Sequence, residues 1–197
     1  MDIKKPRTSR LSWDELFMNM ALIASERTAC RYHMAGAIIV DNNKRIVSMG
    51  YNGPTEGDLH CIDADVGCAK VDGDPVTKKL RRCRGAHAEI NAIINAQDAT
   101  RLRGATVYTA LFPCYDCMKA FNNAGITEIV YYKVYKRMQT GGEKFEEEDE
   151  AWELAKMRNI VIRKYEGKIY TCPAEGITNT GESACASCTG SCGGCGQ

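Results

Sequence analysis

Apolar residues recur at Leu16, Met20, Ile23 and Ala24, the spacing of a helix with one face toward a core, and predict a helix over residues 12–28. Ahead of them Ser12-Trp13-Asp14-Glu15 has the form of a capping box. Residues 35–40 (AGAIIV) are a short apolar run rich in β-branched side chains, residues 41–44 a turn, and residues 45–49 (RIVSM) the returning strand. Tyr51-Asn52-Gly53-Pro54 breaks that pattern, and residues 54–84 show no periodicity. Helical spacing returns in HAEINAIINA from His87, and residues 104–110 (GATVYTA) read as a strand. A second helix opens at Cys114 directly after Pro113 and ends at Gly125, followed by a strand over residues 126–132. Residues 141–158 are first acidic and then helical, and residues 160–162 and 168–170 predict a terminal hairpin. Strands alternating with helices imply an α/β sandwich. The expected organisation is a loose arm over 1–10, one domain over 11–170 with a Cys-containing insertion at about 54–84, and a Gly/Ser/Cys-rich tail over 171–197.

Composition narrows the classes. The 197 residues are 44% hydrophobic and 26% charged, enough for one domain with a full core and typical of a soluble globular protein. No apolar run is long enough to span a bilayer, and the basic N-terminus lacks the apolar segment of a secretory signal, so the expected location is the cytoplasm and no membrane partner is expected. Net charge is +1, whereas a protein that follows a phosphate backbone carries a basic excess. Polymeric nucleic acid is therefore not expected as a partner, while a small anionic nucleotide is compatible.

Eleven cysteines in a reducing compartment read as metal ligands or catalytic groups. The strongest constellation is His87-Ala88-Glu89 with Pro113-Cys114-Tyr115-Asp116-Cys117. One His and two Cys make a three-ligand zinc site, which leaves a fourth position for water, as catalytic zinc requires. Zinc held by His87, Cys114 and Cys117 lowers the pKa of its water toward neutrality, and Glu89 is placed to move protons between water, ring nitrogen and departing amine. H-x-E…P-C-x-x-C is the signature of zinc deaminases acting on nucleobases. A structural zinc site with Glu89 as an acid at a helix N-terminus is the bland reading, and a redox Cys pair would leave HAE unexplained. Cys30, Cys61, Cys68 and Cys83 bracket the structureless loop, which a metal clip would order, although Cys30 also suits a buried helix-end thiol. The basic run KKLRRCR fits a phosphate or a solvated face. In the tail, Cys185/Cys188 and Cys192/Cys195 have zinc-ligand spacing in low-complexity surroundings.

The order of motifs over about residues 12–165 resembles deoxycytidylate (dCMP) deaminases of the cytidine deaminase-like superfamily, the phage and bacterial members especially. The resemblance rests on ACRYHMAGAIIV, SMGYNGPTEGDLHC, CRGAHAEINAI, GATVYTALFPCYDC and AGITEIVYY. It implies a three-layer α/β/α sandwich around a mixed five-stranded sheet, and hydrolytic deamination of dCMP to dUMP for thymidylate synthesis. It implies catalytic Glu89, a catalytic zinc on His87, Cys114 and Cys117, and a second, structural zinc on Cys30, Cys61 and Cys83 with Cys68 or His60. Asn52, Asn91 and Tyr135 are the implied substrate contacts; a turn residue beside Gly53-Pro54 and a core or rim aromatic are the plain alternatives for Asn52 and Tyr135. Family members are commonly homohexamers under dCTP and dTTP control, but the Arg that follows the HAE helix in some regulated members has no counterpart near Asp98. The competing functions are deamination of a 5-modified dCMP or of tRNA adenosine, and a non-catalytic zinc-binding nucleotide sensor.

Overall fold

The computed structural model describes residues 9–74, 76–134 and 147–170, with backbone alone at 147 and 148. Tyr135, most of the N-terminal arm and the Cys-rich tail lie outside the described residues. The elements are α1 (Trp13–Ser25), β1 (Gly36–Val40), β2 (Ile46–Tyr51), β3 (Gly53–Pro54), β4 (Gly85–Ala86), α2 (Ala88–Ile94), β5 (Thr106–Leu111), α3 (Tyr115–Ala124), β6 (Glu128–Lys133), α4 (Glu147–Met157) and β7 (Val161–Lys164).

Strand order in the main sheet is β2-β1-β5-β6-β7. β1 runs antiparallel to β2 and β5, whereas β5, β6 and β7 are parallel. The two-residue strand period sorts side chains onto opposite faces. Ile38, Val40, Tyr108, Ala110 and Val130 meet Phe17, Met18 and Leu22 of α1. Ala37, Ile39, Val107 and Ile129 meet Ala88, Ala92, Met118 and Phe121 of α2 and α3 on the other face, joined by Ala151 and Ala155 of α4. This is the expected three-layer α/β/α sandwich with a mixed five-stranded sheet. The capping box also forms: Glu15 N donates to Ser12 Oγ at 3.1 Å and Ser12 N donates to a Glu15 carboxylate oxygen at 2.8 Å.

The expected terminal hairpin does not form. Tyr165 is buried against α1, and the chain passes beneath that helix instead of turning back along β7. Asn19 fastens it there, donating to the Lys168 carbonyl at 2.9 Å and accepting from Tyr170 N at 2.6 Å. A polar network ties the layers together nearby. Arg163 of β7 bridges Asp14 of α1 (2.9 Å) and Glu128 of β6 (2.7 Å), and the Tyr108 hydroxyl donates to Asp14 at 2.7 Å. Burial raises the Asp14 pKa, but the bonds from Arg163 and Tyr108 outweigh it and hold the carboxyl below its ordinary 3.8. Its stabilising contribution is thus present above the unfolded-state value and fades as pH falls through the lower folded one. Urea unfolding is expected to show Asp14→Asn destabilised at neutral pH, with the gap from wild type shrinking below about pH 4.

Two glycines set how closely helices approach the sheet. A Cβ on Gly50 of β2 would lie 2.2 Å from the Ala88 carbonyl oxygen and 2.4 Å from Ala92 N, both backbone atoms of α2. Gly36 of β1 meets Ala21 of α1 at 2.1 Å in the same way. Gly50→Ala is expected to cost about 1–3 kcal/mol, since backbone must shift to admit the methyl. Thermal unfolding at fixed zinc reads this, and an unchanged Tm would contradict the tight packing of α2 on β2.

Candidate active site

Both halves of the His/Cys constellation fall at helix starts on the same side of the sheet. β4 pairs with β3 and delivers His87 to the N-cap of α2, while Cys114 is the N-cap of α3 just beyond the end of β5. Neither residue spends its side chain on a capping bond. Their donor atoms face each other instead: His87 Nδ1 lies 3.3 Å from Cys117 Sγ and 3.4 Å from Cys114 Sγ. All three donor atoms lie within 4.8 Å of one another, the one such group of three or more among the described residues.

This set fits zinc. Tetrahedral coordination at usual Zn–S and Zn–N lengths separates nitrogen from sulfur by roughly 3.6 Å. Cys117 is buried, Cys114 half-buried and His87 exposed, so protein closes one side of the group and leaves the other open. The metal-free thiols share a proton: the hydrogen bond from Cys117 draws Cys114 down to about 4 against the opposing effect of burial, while that same bond, followed by burial, pushes Cys117 up. A divalent cation would displace the shared proton and hold two thiolates.

Glu89, in the first turn of α2, is 5% exposed. Burial pushes its carboxyl above the ordinary range, opposed by its own backbone N–H and by His87. A buried carboxyl beside a metal group and a cavity suits proton transfer at neutral pH. That cavity, about 450 Å³, is lined at its base by His87, Glu89 and Cys114 and along one wall by Asn52, Pro54 and Ala86. Its size suits one small ligand.

The other sequence-derived residues divide. Asn52 lines the cavity, but its side chain also clamps the wall: Oδ1 accepts from Ala35 N and Thr28 Oγ1, each at 2.8 Å, and Nδ2 donates to the His33 carbonyl at 2.9 Å. Asn91 directs its amide to the Tyr51 carbonyl at 2.8 Å, tying α2 to β2. Cys30, Cys61, Cys68 and Cys83 line the same cavity but do not close into a metal-binding group among the described residues, and His60 is exposed. Two cavity residues had no signal in the sequence pattern. His33 sits between α1 and β1, and Lys70 lies in the unpatterned loop, where the run of basic residues at 78–84 is the more visible feature.

Residues 11–133 match the family model described as the cytidine and deoxycytidylate deaminase zinc-binding region. The chain belongs to this family. It is 32% identical over 164 residues to the deoxycytidylate deaminase of Homo sapiens, a match covering 82% of this chain and 84% of that one. It is 34% identical over 127 residues to the deoxycytidylate deaminase of Mycobacterium phage D29, covering 64% of this chain and 98% of the relative. The crystal structure of dCMP deaminase from cyanophage S-TIM5 in complex with dCMP and dUMP shares the fold, with a TM-score of 0.59 at 21% identity over 80% of this chain and 99% of that one. The family match runs from α1 through β6 and so includes both zinc motifs.

Proposed function

We propose that the protein hydrolyses dCMP to dUMP and ammonia, using zinc held by His87, Cys114 and Cys117. The observation that carries this reading is the meeting of three zinc donors and a buried carboxyl, Glu89, at the base of a nucleotide-sized cavity in a chain of this family. When bound, zinc supplies a nucleophilic water near neutral pH for attack at C4 of the cytosine. Glu89 accepts the first proton from that water and delivers it to ring N3. The same carboxylate then carries the remaining proton to the amino group, which leaves as ammonia while C4 becomes a carbonyl. Water supplies the oxygen gained, and both its protons pass through one carboxyl oxygen pair. The low exposure of Glu89 keeps bulk water from short-circuiting this transfer.

The stoichiometry gives a direct test. In ¹⁸O-labelled water, zinc-loaded protein is expected to convert dCMP into dUMP carrying one solvent oxygen at C4, with one ammonia released per dUMP. Unlabelled dUMP, or neither product while zinc is bound, would contradict the reading.

A further inference from the structure

The charges lining the cavity are arranged asymmetrically. Glu89 is the one carboxylate among the described lining residues, and it lies buried at the base. Lys70 is exposed and lines both the cavity and an adjoining surface hollow formed with Leu80, Arg81 and Arg82. His33 lines the cavity too; burial lowers its pKa and the nearby Lys70 ammonium lowers it further.

Lys70 is the one Lys or Arg among the described lining residues, and three other cations around this loop are already engaged. Arg31 pairs with Asp72 (3.7 Å), Arg81 with Asp74 (3.0 Å), and Arg84 donates to the Gly67 carbonyl at 2.7 Å. Among the described residues nothing pairs with the Lys70 ammonium. Its backbone is nevertheless held firmly. Asp72 accepts from Cys68 N at 2.7 Å and from the Tyr32 hydroxyl at 2.6 Å, while Asp72 N donates back to the Cys68 carbonyl at 2.7 Å. Arg81 N donates to the Ala69 carbonyl at 2.9 Å, and Cys68 and Ala69 are buried. An exposed cation on a braced turn at the cavity wall, beside His33 and with the one lining carboxylate buried, is a preorganised place for a dianion.

We propose that Lys70, with His33 beside it, takes the 5′-phosphate of the nucleotide and sets the preference for a monophosphate over a nucleoside. The assignment rests on the dCMP reading of the site and adds the specificity-determining residue to it. Asp72 acts through Lys70 as a positioning residue.

The test is kcat/KM for dCMP and for deoxycytidine in wild type, Lys70→Ala, Lys70→Arg and Asp72→Asn, with dUMP and deoxyuridine binding measured by calorimetry on the same zinc-loaded proteins. Lys70→Ala is expected to lower the dCMP-to-deoxycytidine ratio by about 10–100-fold, through KM and not kcat, as loss of one charge-assisted phosphate contact does. Lys70→Arg should restore most of it, and Asp72→Asn should lower the ratio less, again through KM. An unchanged ratio in Lys70→Ala, whether or not both substrates slow together, would overturn the assignment. If wild type deaminates neither compound but binds dUMP more tightly than deoxyuridine through Lys70, the phosphate assignment stands and the deaminase reading falls.

Discussion

Glu89→Gln is expected to lower kcat for dCMP by about 10²–10⁴-fold or more while leaving the zinc content unchanged. The amide keeps the shape and a hydrogen-bonding oxygen but cannot take a proton from water or return one to the departing amine. Glu89 is not one of the three grouped donors, and Gln can still accept a hydrogen bond from its neighbours, so the metal should remain. Stability should move the other way. Burial holds the Glu89 pKa above 4.5 in the zinc-free protein, so the ionised carboxylate costs stability once the pH exceeds that value. Zinc-free Glu89→Gln is therefore expected to unfold at an equal or higher temperature than zinc-free wild type at pH 7. A variant that loses zinc, or that retains activity within a few fold, would remove Glu89 from the chemistry.

Cys117→Ala should have the larger combined effect. Cys117 is fully buried in the first turn of α3 and contacts His87, Cys114 and Glu89. Its loss leaves two ligands, too few for a tight zinc site. Metal analysis is expected to show one equivalent less zinc than wild type and activity at background. Adding zinc should restore activity to chelator-stripped wild type but not to the variant. Full occupancy with activity retained would mean that the metal is held elsewhere.

Much of this site is legible in the sequence because its parts are local. HAE and PCYDC each fix two chemically active positions by spacing within one helical turn, and Pro113 and Gly125 mark the helix bearing the cysteines. Ser12 and Glu15 likewise announce the start of α1 three residues apart. What the sequence hides is long-range. Residues 160–162 look like half of a hairpin because β6, the partner of the strand they open, lies far back in the chain, and parallel pairing leaves no turn signal between them. Asn19 gives no hint that it fastens Lys168 and Tyr170. Gly50 falls between the expected strand over 45–49 and the break at Tyr51-Asn52-Gly53-Pro54 and carries no signal of its own, yet its role is to let the backbone of α2 approach β2. Lys70 is hidden for a related reason: its turn is built by Asp72 bonding to Cys68 and Tyr32, contacts that hydrophobic periodicity cannot reveal.

The most direct measurement is ammonia release from dCMP, CMP and deoxycytidine offered separately to purified, zinc-loaded protein. Turnover of dCMP well above that of the ribonucleotide and of the nucleoside is the expected result. No release from any of the three, with zinc still bound at His87, Cys114 and Cys117, would contradict deamination of dCMP by this site.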